Sequence, residues 1–191
     1  MKLWQVQINT IIQDCLKGKE GAWKMLVNAY SKKVFNMAYQ FAGTYEEAED
    51  LTQEVFFKIY NSLHKYNLSK NFSAWLLTLA KNHLIDSYRK TKWEKKNRDE
   101  FNEASLDSKD FVSPENHIVM KEIQKKVWEG FNHLSADIRM VIILKDIQGK
   151  KYEEIAEIMD IPIGTIKSRA NRGRLQLAKI LKEKKEEGND M

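Results

Sequence analysis

Lys167, Ser168, Asn171 and Arg172 are separated by one, three and four residues, which gathers them on one polar face if their segment is a helix. Arginine and lysine donate to guanine acceptors and asparagine pairs with adenine, so such a face has the chemistry for reading duplex DNA in the major groove. From Pro162 to Lys182 there are six Lys/Arg and no acid. A solvated basic surface helix would show the same charge, and the surrounding pattern distinguishes the two. Two helical patterns, Tyr152 to Met159 and Ile163 to about Lys184, carry small Ala156 at a close crossing, Asp160 in the turn and Ile166 as an apolar anchor. That is the layout of a helix-turn-helix. Asp160 stands where glycine is common, and Asp tolerates left-handed geometry better than most residues.

A second set is acidic and aromatic. Glu46, Glu47, Glu49, Asp50 and Glu54 precede Lys58 with no intervening Lys or Arg, and Phe56 adjoins Phe57. Neighbouring helical residues diverge by roughly 100 degrees, so both rings cannot be central to one buried stripe. The segment is either a docking surface for a basic protein or a solvated acidic face beside a wide core stripe. A third set places Tyr66, Phe72, Trp75 and Tyr88 near Lys70, Lys81, Arg89 and Lys90, a mixture suited to stacking unpaired bases and holding their backbone. Periodicity favours core positions for most of these rings, with Phe72 and Trp75 foremost.

The elements that must position these residues are helical. Only two prolines and eight glycines interrupt the 191 residues, and 42% of the chain is hydrophobic. Leu3, Ile8, Ile11, Ile12 and Cys15 mark a first helix; Ala22 through Phe41 mark a second, ended by Gly43. Thr44 and Glu47 have capping-box spacing for a third helix running to about Lys65. After a polar turn from Tyr66 to Asn71, a fourth helix buries Phe72, Trp75, Leu76, Leu79, Ala80, His83 and Leu84, turning Lys81, Asn82, Asp86 and Arg89 toward its other faces.

Between Lys81 and Arg98 seven Lys/Arg oppose two acids, whereas between Asp99 and Glu115 one lysine opposes six acids. Apolar periodicity lapses from about Lys92 to Ser113, which reads as a flexible linker with little structure of its own. Ser113, Pro114 and Glu115 form a strong helix start. Beyond it Ile118, Ile123, Val127 and Phe131 make a stripe, and Ser135 caps a helix through Met140, Val141, Leu144 and Ile147 to Gly149. The expected fold is all-α: two helical domains joined by a flexible linker, at residues 1–91, 92–113 and 114–191, with the helix-turn-helix in the second.

Composition excludes several classes. The net charge of +5 mildly favours a polyanionic partner. A lone Cys15 cannot form an intrachain disulfide, and no Cys/His cluster has metal spacing, so neither a metal nor another cofactor is expected. His64, His83, His117 and His133 are scattered, and no phosphate loop or nucleophile motif appears; neither an enzyme nor a small-molecule substrate is implied. No apolar run nears the roughly 20 residues of a membrane span, so membrane insertion is not expected and a cytoplasmic setting is.

Three runs resemble one family. AEDLTQEVFFKIY (Ala48 to Tyr60) is similar to the polymerase-docking motif of extracytoplasmic-function (ECF) sigma factors, and FSAWLLTLAKNHLIDSYRK (Phe72 to Lys90) to the segment that follows it. YEEIAEIMDIPIGTIKSRANRGRLQL (Tyr152 to Leu177) resembles their fourth-domain helix-turn-helix. The order and spacing cover nearly the whole chain. The resemblance implies a non-catalytic subunit that binds core RNA polymerase, through the beta-prime clamp helices and beta, directs it to promoter DNA and promotes opening. It implies docking by Asp50, Gln53, Glu54 and Phe57. The turn with Asn67, Ser69, Lys70 and Asn71, together with Asn82 and Arg89, would engage the unpaired minus-ten strand. Thr165, Lys167, Ser168, Asn171 and Arg172 would read the minus-thirty-five element, with Arg169 on phosphate. An anti-sigma factor is common in the family and is implied as a partner, although nothing in the chain specifies one, and the cytoplasmic protein would associate with the nucleoid through polymerase.

The chain departs from the pattern at Lys150 and Lys151, where the family has an apolar residue and a hydroxyl cap; loss of that cap weakens the helix start by about 1 kcal/mol. Asn171 and Gly173 also differ, which bears on base preference. The alternative, a stand-alone helix-turn-helix regulator, explains only the C-terminal third and offers no dimer seam.

Overall fold

A computed structural model describes residues 3–99, 127–128 and 130–187. Among these residues the secondary structure is helices and turns, with no strand. The helices are α1 (Leu3–Leu16), α2 (Ala22–Ala42), α3 (Tyr45–Ser62), α4 (Phe72–Asp99), α5 (Ala136–Ile142), α6 (Tyr152–Met159) and α7 (Ile163–Glu187). A short 3-10 turn, Leu63–Lys65, carries α3 to the end expected for it.

The N-terminal unit forms because three stripes meet. Leu26, Tyr30, Val34, Met37 and Phe41 on α2 face Ala48, Leu51, Val55 and Ile59 on α3, and Phe72, Leu76, Ala80 and Leu84 of α4 close the core. Each fully buried large apolar side chain contributes about 1.5–3 kcal/mol relative to exposure. Gly43, at φ 95°, ends α2 and donates its N–H to Tyr39, and the Thr44 hydroxyl accepts from the Glu47 N–H at 3.3 Å. These two adjacent residues set the sharp reversal between α2 and α3.

The C-terminal unit is built similarly. Ser135 caps α5 through the Ile138 N–H, and Asp160 sits in the left-handed region at φ 56° between α6 and α7. Ile166 and Ala170 are fully buried and fix which face of α7 turns outward.

Five sequence expectations change. The segment assigned to the linker from residue 92 begins as helix, since α4 continues to Asp99. Polar residues there extend an established helix at little cost, and Lys90 and Glu94 approach to 3.9 Å one turn apart. Ile147 is 46% exposed instead of buried, because the backbone from Ile143 to Ile147 takes a π turn. The wider turn rotates the face presented beyond it. Trp75 and Leu79 are only half-buried, whereas Phe72 is fully buried. Lys81, expected on an outer face of α4, is buried because the C-terminal unit packs there.

The two units share one continuous core. Ala136, Met140, Val141, Leu144, Ile155 and Met159 belong to the same buried cluster as the α2–α4 residues. A satellite cluster of Phe131, Leu134, Ile138 and Ile142 lies under Leu177 of α7. The acidic run, the Ser113–Pro114–Glu115 start signal and the Ile118/Ile123 stripe lie outside the described residues.

Candidate functional site

Asp50, Gln53, Glu54 and Phe57 follow one another at spacings of three, one and three on α3, and all four are exposed on one face. The phenylalanine pair divides as its geometry requires: Phe57 is 69% exposed and Phe56 is buried. Beside Phe57 runs an apolar groove lined by Trp23, Val27, Phe56 and Tyr60. Trp23 stands edge-on to Tyr60 at 5.1 Å and to Phe56 at 6.3 Å. Trp23 falls within the apolar stripe that marks the second helix and packs partly against the core, whereas Tyr60 has no role in the sequence reading. The available signal was spacing, because Tyr60 follows Phe56 and Phe57 by four and three residues and so extends their surface. The result is an acidic rim beside an aromatic groove. Glu54 also bonds His83 Nε2 on α4 at 2.5 Å.

The turn before α4 is organised by its own asparagines. Asn67 Oδ1 accepts from the Ser69 N–H at 2.9 Å and its hydroxyl at 2.8 Å, while Asn71 Oδ1 accepts from the Ala74 N–H at 3.1 Å and caps α4. Asn9 holds the Leu68 carbonyl at 2.9 Å, and the Tyr66 hydroxyl donates to the Lys70 carbonyl. Below lie Tyr66, Phe72 and Trp75 with ring centroids 5.0–5.5 Å apart. Asn67, Ser69, Lys70 and Asn71 are therefore presented at the surface on an aromatic base. Asn82 is exposed as well. Arg89, two turns on, pairs with Asp137 of α5 at 2.7 Å.

On α7, Thr165, Lys167, Ser168, Asn171 and Arg172 are exposed, since Ile166 and Ala170 point inward. Arg169 is half-buried and reaches Asp137 at 3.3 Å. Arg174 makes two contacts with Asp146, at 3.0 and 2.6 Å. The stretch from Pro162 to Lys182, acid-free along its own sequence, thus receives carboxylates from Asp137 of α5 and Asp146 of the π turn that follows α5. Lys145 and Lys167 approach the Tyr152 ring at 4.5 and 5.8 Å.

Two departures from the resembling pattern acquire structural reasons. The Lys151 N–H donates to the Glu154 carboxylate at 2.9 Å, so one half of a capping box remains although lysine cannot supply the other. Gly173 is buried, and a Cβ there would lie 2.7 Å from Ile138 and 2.8 Å from Ile142. Its glycine serves the α5–α7 packing and sits away from the exposed reading face.

Arg139 carries no mark of its role along the chain. It is 2% exposed and donates to the Phe131 carbonyl at 3.1 Å, the Phe41 carbonyl at 2.9 Å and Asn132 Oδ1 at 2.9 Å. Its guanidinium lies 4.6 Å from the Tyr88 ring centroid and 5.5 Å from that of Phe41. Burial lowers the pKa of both Arg139 and Lys81. Among the described residues no cluster of three His, Cys, Asp or Glu could hold a metal, and no helix is long and apolar enough to cross a membrane.

The Sigma-70 region 2 family matches residues 26–94, and the Sigma-70 region 4 family matches residues 124–177. The ECF RNA polymerase sigma factor SigW of Bacillus subtilis is 32% identical, over 94% of this chain and 99% of its own length. The RNA polymerase sigma-H factor of Pseudomonas aeruginosa is 31% identical over 94% and 96%, and the ECF sigma-E factor of Escherichia coli K12 30% over 89% and 92%. Among solved structures, the sigma factor RpoE in complex with the anti-sigma factor NepR from Bartonella quintana aligns with TM-score 0.63 and 28% identity, over 85% of this chain and 98% of that one. CnrH in complex with the cytosolic domain of CnrY has the same fold, with TM-score 0.64 and 19% identity over 92% and 97%.

Proposed function

Because this chain belongs to the ECF sigma factors of RNA polymerase, which direct the enzyme to promoters, we propose that it does so through three surfaces. Residues 1–91 carry two of them. The α3 face of Asp50, Gln53, Glu54 and Phe57 docks on the basic clamp helices of the beta-prime subunit, with beta as a further contact. The turn bearing Asn67, Ser69, Lys70 and Asn71, with Asn82 and Arg89, holds the unpaired minus-ten strand. In residues 114–191, Thr165, Lys167, Ser168, Asn171 and Arg172 of α7 read the duplex minus-thirty-five element, and Arg169 meets phosphate.

The observation that carries this reading is the exposure of all four α3 residues while their helix is anchored by Leu51, Val55, Phe56 and Ile59. A stand-alone duplex-binding regulator leaves that acidic, aromatic face without a function. The promoter-reading surfaces divide by physical state: α7 supplies hydrogen bonds to groove edges, and the turn before α4 supplies a preformed surface for single-stranded backbone and bases. Sigma factors initiate transcription without a catalytic reaction of their own, so affinity and strand separation are what these surfaces provide. An anti-sigma factor is the inhibitory partner we propose, by likeness to the solved complex of RpoE with the anti-sigma factor NepR, and the site of action is the cytoplasm, with polymerase on the nucleoid.

The docking assignment is tested by replacing Asp50 and Gln53 together with alanine and titrating labelled protein against core polymerase. The double variant should keep its helical spectrum and lose affinity at least tenfold, each 1.4 kcal/mol of lost contact being about a factor of ten. Wild-type affinity would remove α3 from the interface.

A further inference from the structure

Arg89 of α4 and Arg169 of α7 meet on one side chain, with Asp137 Oδ2 2.7 Å from the first and Oδ1 3.3 Å from the second. We propose that Asp137 is an internal latch which holds the free chain in a closed form of weakened DNA binding by occupying one arginine from each DNA-reading surface. This rests on the reading above, in which Arg89 serves the minus-ten strand and Arg169 the minus-thirty-five phosphate.

The two assignments cannot both be exercised in the closed form. Elements named for positions thirty-five and ten lie about 25 base pairs apart, or roughly 85 Å at ~3.4 Å per base pair. Arg89 and Arg169 are both within 3.3 Å of a single carboxylate. The units must therefore separate before each surface reaches its own element on a duplex. A carboxylate offers guanidinium the same paired acceptors as a phosphate, so the group that Asp137 imitates is also the one that displaces it.

Other contacts show what closure covers. Lys81, next to Asn82 on α4, is buried with its ammonium 3.4 Å from the Met159 carbonyl of α6. Gln148 donates to Gln40 across the same boundary at 2.8 Å. Arg139 reaches from α5 to the end of α2, bonding the Phe41 carbonyl and stacking on Tyr88. Arg139 and the shared core give closure its strength. The Asp137 pairs, with side chains 59%, 30% and 30% exposed, remain accessible to competing anions and give it reversibility. Lys167, Asn171 and Arg172 on α7 and Asn82 on α4 stay exposed, so closure engages the two arginines without burying the rest of either reading face.

The test uses the full chain with Cys15→Ser, dyes at Asn28→Cys on α2 and Gln176→Cys on α7, and energy transfer between them without DNA or polymerase. High transfer is expected with wild-type Asp137. Asp137→Ala and, separately, Arg89→Gln should lower it. Asp137→Ala should also bind minus-thirty-five duplex roughly three- to tenfold more tightly, because apparent affinity rises with the open fraction. Arg89→Gln alters an exposed side chain and keeps the test valid if Asp137→Ala folds poorly, as circular dichroism would reveal. Low transfer in the wild type, or wild-type transfer in both variants, would overturn the latch. Energy transfer is read without DNA, so it judges closure independently; if the variants open but Arg169→Ala binds duplex like wild type, closure stands and the phosphate role of Arg169 falls.

Discussion

Glu54 and His83 join α3 to α4 through a 2.5 Å contact, with the carboxylate largely in solvent and the imidazole largely buried. The pair ties the proposed polymerase face to the helix proposed to hold the unpaired strand, and the two residues should fail differently. His83→Ala opens a gap beneath the pair and should cost about 1–3 kcal/mol in urea unfolding. Glu54→Ala removes an exposed partner and should cost no more than ~1 kcal/mol, while lowering affinity for core polymerase. Equal losses of stability in the two variants would contradict this account of the pair.

Gly173 supplies a packing prediction. A Cβ at that position would stand 2.7 Å from Ile138 Cγ2 and 2.9 Å from Ile142 Cδ1. Gly173→Ala should therefore destabilise the protein by about 1–3 kcal/mol despite its higher helix propensity. Adding Ile142→Val, which deletes the terminal methyl, should recover part of that loss. A single variant that melts at or above the wild-type temperature would show that α5 and α7 can move apart freely.

The division between duplex and single-strand surfaces predicts opposite defects. Arg172 is exposed on α7 beside Lys167 and Ser168, whereas Asn82 is exposed on α4. Arg172→Ala should weaken closed-complex formation with core polymerase, by roughly 1–3 kcal/mol for a bidentate guanine contact. Asn82→Ala should spare that step and impair opening. Filter binding at low temperature, with permanganate footprinting on duplex and pre-melted templates, separates them. Loss of closed-complex affinity in Asn82→Ala as severe as in Arg172→Ala would end the division.

Much of this was legible along the chain because it is local. The 26/30/34/37/41 stripe of α2, the Thr44 and Ser135 caps and the left-handed Asp160 are decided within a few residues, and periodicity, capping chemistry and αL tolerance reveal them directly. That Phe56 and Phe57 could not both be buried centrally followed from helical angle, and the structure adds that Phe57 is the exposed one. What escaped is non-local. Arg139 reads as one polar residue before an apolar run; its bond to Phe41, 98 positions away, depends on how the two units meet. The burial of Lys81 has the same origin. The π turn at Ile143–Ile147 has no sequence mark, and it turned the expected core position of Ile147 into a surface one. Gly173 was conspicuous as a departure, but only the distances to Ile138 and Ile142 explain it.

Run-off transcription decides whether the protein is a promoter-directing subunit that works with polymerase. Purified core polymerase is given a library of genomic promoter fragments with and without this protein. Discrete transcripts from a limited set of fragments are expected only when the protein is present, and are expected to vanish with the Asp50→Ala, Gln53→Ala double variant. Sequence-specific duplex binding by the protein alone, with no new transcript from any fragment in the presence of core polymerase, would contradict that role.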